Sequence, residues 1–135
     1  MSPHVVAVGI DIVEVERIAR MLERKGDRAL TRLLTEAEAA YCRAQQLPAR
    51  HVAARVAAKE AVYKALQGSP EARAIGWREI EVVRDWDGRP AVRTTGRAAA
   101  RTEQLHVAQV LLSLTHSAAT AAAIAVLTRG VESGR

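Results

Sequence analysis

The sequence contains no phenylalanine, and two tryptophans and two tyrosines are its only aromatic residues. A hydrophobic core must therefore be built from Val, Leu, Ile and Ala, and the many alanines imply close approach of backbones. Because alanine buries little apolar surface, we expect a thin core, for which oligomerisation is a common remedy. Surfaces that bind nucleic acid use aromatic side chains to stack on bases, so the scarcity of aromatics disfavours that function.

Cysteine occurs once, at Cys42, which excludes an intramolecular disulfide and favours a reducing compartment. The first residues show no cationic segment followed by a long apolar run, and no stretch approaches 18 uncharged apolar residues. We therefore expect a cytoplasmic protein that does not enter a membrane. Given this length and 49% hydrophobic residues, residues 1–135 are expected to form a single folded domain.

Positive charge is in excess, with 20 Lys and Arg against 15 Asp and Glu and a net charge of +5 at pH 7. This balance predicts an acidic partner, for which a nucleic acid, an anionic protein and a phosphorylated small molecule all qualify. The arginines are scattered along the chain, which further disfavours nucleic acid. The sequence has no glycine-rich loop of the usual nucleotide-binding folds, no Cys/His set for zinc and no Gly-x-Ser-x-Gly nucleophile motif.

Apolar periodicity predicts an α+β domain with the order β-α-α-α-β-β-α-β-β and an additional short helical piece at 27–34. The short connection between the last two strands predicts that they pair antiparallel. Residues 131–135 are expected to be a frayed tail. The expected strands span 5–12, 77–84, 89–94, 106–115 and 121–127, and the other helices span 13–25, 35–45, 49–66 and 96–105. Thr35 is expected to be an N-cap with Glu38 at N3, and the pair Asp87-Gly88 is expected to form the turn of a hairpin.

The long central helix carries an unusual arrangement of charges. At 100° per residue, Glu60 and Lys64 project from one side, whereas Lys59 points into an arc of apolar residues. A lysine among apolar side chains is either extended toward solvent or held for an anionic ligand. The alternative is an ordinary surface helix in which Glu60 and Lys64 form a weak ion pair.

Asp11 lies at the end of the first predicted strand, between two isoleucines. One interpretation is a helix cap, because Glu14 follows at the third position of a capping-box relative. The other is a carboxylate that the strand delivers to a site. Together with Glu60 it would suit Mg²⁺, which needs few protein carboxylates when phosphate oxygens and water complete its shell. Nearby lysines would balance the remaining charge of a diphosphate.

Three segments, in this order, resemble the signatures of holo-[acyl-carrier-protein] synthases. Residues 8–18 are similar to their N-terminal motif. Residues 55–65 are similar to a second motif, in which a Lys-Glu-Ala core is followed three residues later by another lysine. Residues 112–116, Leu-Ser-Leu-Thr-His, are similar to the C-terminal motif. The resemblance extends through 35–41 and 87–90 and so covers nearly the whole chain.

The resemblance implies a 4′-phosphopantetheinyl transferase fold, in which a small antiparallel sheet packs on a long central helix. It implies transfer of 4′-phosphopantetheine from coenzyme A to a serine of an apo acyl or peptidyl carrier protein. The expected cofactor is Mg²⁺ and the expected by-product is adenosine 3′,5′-bisphosphate. The carrier would present an acidic helix and could belong to fatty-acid, polyketide or peptide synthesis. A homotrimer with active sites between subunits is also implied, with no nucleic-acid or membrane partner.

Residue roles follow from the same resemblance. Asp11 and Glu60 would bind Mg²⁺, and Arg17 and Arg28 would dock the carrier protein. The expected catalytic residues are Glu60, Lys64 and His116. The residues expected to contact coenzyme A are Arg55, Lys59, Lys64, Gly76, Ser113 and His116. For His116 two roles stay open: a contact near the adenosine bisphosphate portion, or assistance in deprotonating the serine.

Three departures from the family pattern motivate an alternative. Ser117 follows the histidine where many relatives have an acid, the loop 67–76 is not glycine-rich, and Tyr63 replaces a residue that is often small or polar. The alternative is a non-catalytic module of the same fold that binds a carrier protein or coenzyme A. A small basic nucleic-acid binder is a third hypothesis, which predicts a steep dependence of affinity on salt.

Overall fold

The computed structural model describes residues 4–130, and the tail expected at 131–135 lies outside them. The predicted α+β class is confirmed. The piece expected at 27–34 is a helix of its own, so four helices precede the hairpin. The strands are β1 (His4–Glu14), β2 (Ile80–Arg84), β3 (Pro90–Thr94), β4 (Gln109–His116) and β5 (Thr120–Arg129). The helices are α1 (Val15–Lys25), α2 (Asp27–Leu33), α3 (Glu36–Arg43), α4 (Pro48–Leu66) and α5 (Gly96–Gln104).

The strands form two separate sheets. The larger has the order β1-β5-β4 with antiparallel pairing throughout, which confirms the prediction for the last two strands. The smaller is the β2–β3 hairpin. Its first strand starts later than predicted, because the stretch Trp77–Glu79 forms a 3₁₀ turn before Ile80. Another 3₁₀ turn, Glu71–Ala74, lies in the loop after α4.

Helix α4 is the centre of the core, with small side chains buried along most of its length. Its alanines permit the close backbone approach that the composition predicts. The approach is closest at Gly9 of β1, where an added Cβ would overlap the carbonyl oxygen of Ala61. A glycine is required there, and this contact places the residues that follow Gly9 beside the last turns of α4.

Asp11 is not a helix cap. Strand β1 continues to Glu14, which is itself the N-cap residue of α1, and Asp11 pairs with Ala123 of β5. The capping interpretation of Asp11 is therefore wrong. In contrast, the cap expected at Thr35 is present: its hydroxyl accepts from the Glu38 amide, and the Glu38 carboxylate accepts from the Thr35 amide.

The larger sheet packs one face on α4 and leaves the other exposed. On that outer face Val8, Ile10 and Ile12 of β1 are more than half exposed, and Leu111 of β4 and Ile124 of β5 are also exposed. We call this surface the outer sheet face. Among residues 4–130, no helix is both long and apolar enough to cross a bilayer.

Candidate active site

Two carboxylates meet where β1 crosses α4. The side chain of Asp11 is only 11% exposed, and its Oδ2 has no hydrogen-bond partner among the described residues. The pKa of Glu60 is raised by burial and further by its hydrogen bond with Asp11 and the negative charge there. Two acids that share a partly buried space disfavour each other's charge. A cation between the two carboxylates would relieve this repulsion and would be bound by the unpartnered Oδ2 of Asp11.

Lys64 is the ammonium group at this pair. Its Nζ lies 2.7 Å from Asp11 Oδ1 and donates a second hydrogen bond, 3.1 Å long, to the carbonyl oxygen of Ile10. The hydrogen bond to Asp11 raises the pKa of Lys64. The lysine side chain is 54% exposed. Lys64 therefore connects α4 to β1 through Asp11. Its ion-pair partner is Asp11 of β1, and not Glu60 one turn earlier on the same helix as in the surface-helix alternative.

The carboxylate pair fits Mg²⁺ better than a zinc ion. Among residues 4–130, no group of three or more His, Cys, Asp or Glu side chains is arranged to hold a metal. Zinc sites in proteins use three or four such ligands. Mg²⁺ is commonly bound by one or two carboxylates and completes its octahedron with water and substrate phosphates. Asp11 and Glu60 supply that number, and the unpartnered Oδ2 of Asp11 is a free ligand atom.

Lys59 has a different environment from Lys64. Its side chain is 1% exposed, and its Nζ lies 2.7 Å from Glu38 Oε1. It also donates to the carbonyl oxygens of Trp77, at 2.8 Å, and Ile80, at 2.7 Å. An ammonium group has three N–H donors, and all three are used. Lys59 lines the cavity that Glu60 and Lys64 also line, but a contact with phosphate would require it to give up one of these partners, so the expected phosphate contact stays a prediction.

Glu38 completes the arrangement around Lys59 and was not identified as a site residue from the sequence. It is 2% exposed, and its Oε2 accepts from the amide of Val82 at 2.7 Å. Burial lowers the pKa of Lys59, and the charge of Glu38 opposes that shift. The apolar arc around Lys59 was a signal of burial. No spacing in the sequence relates Lys59 to an acid on another helix.

A cluster of positive and aromatic side chains forms a second site, which we call the arginine–histidine cluster: Tyr41, His51, Arg55, Arg84 and His116. The guanidinium carbons of Arg55 and Arg84 lie 4.2 and 4.9 Å from the centroid of the Tyr41 ring. The rings of His51 and His116 are 5.0 Å apart. Arg55 is 4% exposed, and its Nε has no partner among the described residues.

The arginine–histidine cluster has the chemistry of an anion site. Arg55, Arg84 and His116 line a cavity of about 340 Å³ whose described walls contain no carboxylate. Burial, followed by the charge of His116 and the neighbouring arginines, lowers the pKa of His51. The structure thus brings the predicted residues Arg55 and His116 together. Arg84 and Tyr41 were missed, because a lone basic or aromatic residue carries no local signal. His51 was also missed, although its position four residues before Arg55 on α4 places both residues on one side of the helix.

Two larger cavities meet at Glu60 and Trp77. The first, about 390 Å³, is also lined by Tyr63, Lys64 and Gly76, and we call it the Tyr63 cavity. The second, about 480 Å³, is a basic groove that shares Glu60 and Trp77 with the first. The cations lining the basic groove are Arg17, Arg24, Lys25, Arg28 and Arg32.

Gly76 and Lys64, both expected to contact coenzyme A, line the same cavity. Arg17 and Arg28 line the basic groove, which also includes Glu60. Ser113 is separate: it lies on the outer sheet face opposite Ile124 and lines none of these cavities.

Comparison with known proteins gives a consistent relationship. The family model described as the 4′-phosphopantetheinyl transferase superfamily matches residues 7–125. The holo-[acyl-carrier-protein] synthase of Moorella thermoacetica is 44% identical over 119 residues, 88% of this chain and 91% of that protein. The synthase of Desulforudis audaxviator is 40% identical over 131 residues, 97% of this chain and 98% of that protein.

Solved structures show the same similarity. The holo-(acyl-carrier-protein) synthase of Bacillus anthracis, in complex with CoA (3′,5′-ADP), superposes with a TM-score of 0.74 at 34% identity, covering 93% of this chain and 98% of that one. The holo-ACP-synthase of Plasmodium yoelii superposes with a TM-score of 0.81 at 25% identity, covering 97% of this chain and 100% of that one.

Proposed function

The chain belongs to the 4′-phosphopantetheinyl transferase superfamily, and we propose that it transfers 4′-phosphopantetheine from coenzyme A to a serine of an apo acyl carrier protein. The reaction would require Mg²⁺ and release adenosine 3′,5′-bisphosphate. The observation that carries this proposal is the pair Asp11 and Glu60, with Lys64 beside it, at the junction of two cavities. The buried, unpaired thiol of Cys42 suits a reducing cytoplasm.

Asp11 and Glu60 would hold Mg²⁺, which when bound would neutralise charge on the diphosphate of coenzyme A. Lys64 is half exposed beside them and can exchange its contact with Asp11 for one with a phosphate oxygen. There it would stabilise the charge that develops on the departing phosphate. The serine oxygen would bond to the phosphorus that carries pantetheine, and its proton would pass to solvent. The bond from that phosphorus to the bridging oxygen would break, and that oxygen would leave with adenosine 3′,5′-bisphosphate.

We assign the arginine–histidine cluster to phosphate binding. Arg55 is buried, and its Nε has no hydrogen-bond partner among the described residues. His116 lines the same cavity as Arg55. Because this cavity and the Tyr63 cavity have no lining residue in common, the cluster suits a phosphate remote from the diphosphate. This placement favours a binding role for His116 over the deprotonation of serine.

The basic groove is the proposed docking surface for an acidic carrier protein. Arg17 and Arg28 lie on α1 and α2, and three further cations line the same groove. Its end at Glu60 would bring the carrier serine to the reacting phosphorus. Opposite charges on two such surfaces also accelerate encounter at low salt.

We propose that the chain forms a homotrimer through the outer sheet face. Val8 and Leu111 both neighbour Val126 across the sheet, and Ile10 and Ser113 both neighbour Ile124. An exposed apolar patch of this kind marks an interaction surface. Covering it with other copies of the chain would bury these residues. It would also bring Ser113 into an interface, as expected if active sites lie between subunits.

The proposal is tested by the intact mass of an apo acyl carrier protein after incubation with this protein, coenzyme A and Mg²⁺. We expect a mass increase of one 4′-phosphopantetheine group, which a chelator prevents and added Mg²⁺ restores. No modification of fatty-acid, polyketide or peptidyl carriers, with coenzyme A binding still detectable by calorimetry, would support the non-catalytic module instead. Salt-dependent binding of DNA or RNA without carrier modification would favour the nucleic-acid hypothesis.

Glu60→Gln provides the matched test of the metal assignment. An amide is a weak Mg²⁺ ligand, so we expect transfer to fall by at least about a hundredfold and Mn²⁺ binding to be lost. The fold should be retained, and the melting temperature should not fall, because the substitution removes repulsion between Glu60 and Asp11. Glu71→Gln, in the loop after α4, is the control. Near-normal turnover by Glu60→Gln would overturn the assignment.

A further inference from the structure

Tyr63 precedes Lys64 on α4, and its side chain spans the gap between that helix and the loop that follows it. Its Oη donates a 3.0 Å hydrogen bond to the carbonyl oxygen of Arg73. Its ring lines the Tyr63 cavity together with Glu60 and Lys64. The same residue therefore contacts the space beside the reacting groups and holds the loop that closes it.

The loop is ordered by contacts with α4 along its length. The Nε2 of Gln67 donates to the carbonyl oxygens of Tyr63, at 3.1 Å, and Ala72, at 3.0 Å. Ser69 Oγ accepts from the amide of Ala72 at 3.2 Å. These contacts hold the first half of the loop. The Tyr63 hydroxyl holds the next part, at Arg73, directly before the residues that form the cavity wall.

That wall consists of Ile75 and Gly76, which line the Tyr63 cavity together with Lys64. Ile75 is 6% exposed, and its amide donates to the carbonyl oxygen of Ala72 at 3.3 Å. On the other side of the wall, the amide of Gly76 donates a 3.3 Å hydrogen bond to Glu79 Oε1. Release of the loop at Arg73 would free the wall on one side while the other stayed fixed.

The wall lies in the cavity that contains the proposed reacting groups. Glu60, which would hold Mg²⁺, and Lys64, which would contact the diphosphate, line the same cavity as Ile75 and Gly76. Coenzyme A bound at these groups would therefore lie against the wall beside its diphosphate.

We infer that Tyr63 is a positioning residue, whose hydroxyl fixes the loop so that Ile75 and Gly76 form a ready-made wall for coenzyme A beside its diphosphate. This inference rests on the proposed transferase function. A loop that is already ordered loses less conformational freedom on binding, so the contact improves substrate affinity. It does not alter the reacting groups, so the chemical step is unaffected.

Tyr63→Phe tests the inference, because it removes the hydroxyl and keeps the ring. We expect the KM for coenzyme A to rise about three- to tenfold with kcat within about twofold, the effect of one lost neutral hydrogen bond. The equilibrium affinity for coenzyme A, measured by calorimetry, should fall by a similar factor. Amide hydrogen exchange should quicken in residues 71–76. Thr102→Val removes a hydroxyl bonded to Ala99 within α5 and is the control.

The outcomes separate this inference from the function on which it rests. Wild-type protein that does not bind coenzyme A contradicts the proposed function, and this inference with it. Wild-type protein that binds coenzyme A, with unchanged affinity and exchange in Tyr63→Phe, contradicts only the role of Tyr63. A variant that loses kcat at constant KM would place Tyr63 in the chemical step and also overturn the inference. Tyr63→Leu, which removes the ring as well, should raise KM further.

Discussion

Lys59 and Lys64 are five residues apart on α4, yet their ammonium groups have opposite surroundings. Lys59 has three protein partners inside the core, and Lys64 sits half exposed on Asp11 at the mouth of a cavity. A group whose donors are all satisfied internally has nothing to offer a substrate. An exposed ammonium group that is paired with a single carboxylate can exchange that contact for one with another anion. We therefore expect different roles for the two lysines, with Lys59 holding the elements together and Lys64 taking part in the proposed reaction.

At the scale of single residues, Lys64 in this structure occupies a position where a metal ion would also be attracted. The ammonium group of Lys64 therefore competes with a metal ion for Asp11, and its positive charge also repels the metal ion. We predict that Lys64→Met binds Mn²⁺, used in place of Mg²⁺, about threefold or more tightly than wild type in the absence of coenzyme A. Electron paramagnetic resonance of free Mn²⁺ measures this directly.

The same variant should lose most transfer activity, because the leaving phosphate is no longer stabilised by an ammonium group. Lys25→Met, which removes an equal charge from the end of α1, should leave Mn²⁺ affinity nearly unchanged. Weaker Mn²⁺ binding by Lys64→Met would show that the lysine organises Asp11 for the metal and does not compete with it.

At the scale of elements, the ion pair of Lys59 and Glu38 joins four segments of the chain. Glu38 belongs to α3, Lys59 to α4, and the carbonyl and amide partners belong to the Trp77 turn and to β2. Trp77 in turn lines both cavities that meet at Glu60. The buried pair thus positions one wall of the site while satisfying every donor that it buries.

Lys59→Met should destabilise the protein by about 3–5 kcal/mol, because it leaves the carboxylate of Glu38 buried without its counter-charge. Adding Glu38→Gln should restore part of the stability, since the remaining amide is neutral and can still accept from the Val82 amide. Urea unfolding of the wild type, both single variants and the double variant gives the coupling energy. Additive effects in this cycle would mean that the two side chains do not act as a pair.

The elements themselves were largely predictable because they depend on local pattern. The Thr35 cap, the turn at Asp87-Gly88 and the central helix follow from spacing and propensity alone, and each is present. The end of the first strand was not predictable, because Val13 and Val15 suit a strand as well as a helix. The pairing of β1 with β5, which continues to Glu14, keeps Val13 in the strand.

The site was predictable to a smaller extent. The resemblance predicted roles for Asp11, Glu60 and Lys64, and the structure brings these three residues together. It could not separate Lys59 from Lys64, since both are lysines of one motif and only tertiary burial distinguishes them. Glu38 and Arg84 come from two other elements, α3 and β2, and their proximity to the motif residues is a property of packing that local sequence does not encode. His51 lies on α4 four residues before Arg55, so helical spacing alone places these two residues near each other.

At the scale of the whole molecule, the thin core expected from the composition and the exposed outer sheet face have a common explanation. Most of the side chains buried along α4 are alanine and valine, while larger apolar residues of β1 point away from α4 into solvent. A protein that exposes isoleucines on an ordered sheet gains by covering them with another copy. The oligomer would then contribute apolar burial that a single chain lacks.

Substitutions on this face test the proposed homotrimer. We predict that wild-type protein has a mass of about 44 kDa in solution, three times the 14.6 kDa chain. Val8→Glu and Leu111→Glu should shift the mass toward a single chain, because a carboxylate buried in an apolar interface has no partner. Light scattering after gel filtration gives the mass of each.

Leu47→Glu is the matched control, since Leu47 has nearly the same exposure as Val8 but lies between α3 and α4, away from the sheet. It adds the same charge and should leave the trimer intact. If active sites lie between subunits, transfer activity should fall with dissociation in the Val8 and Leu111 variants and persist in the control. A fully active wild-type monomer would show that the outer sheet face serves a different partner.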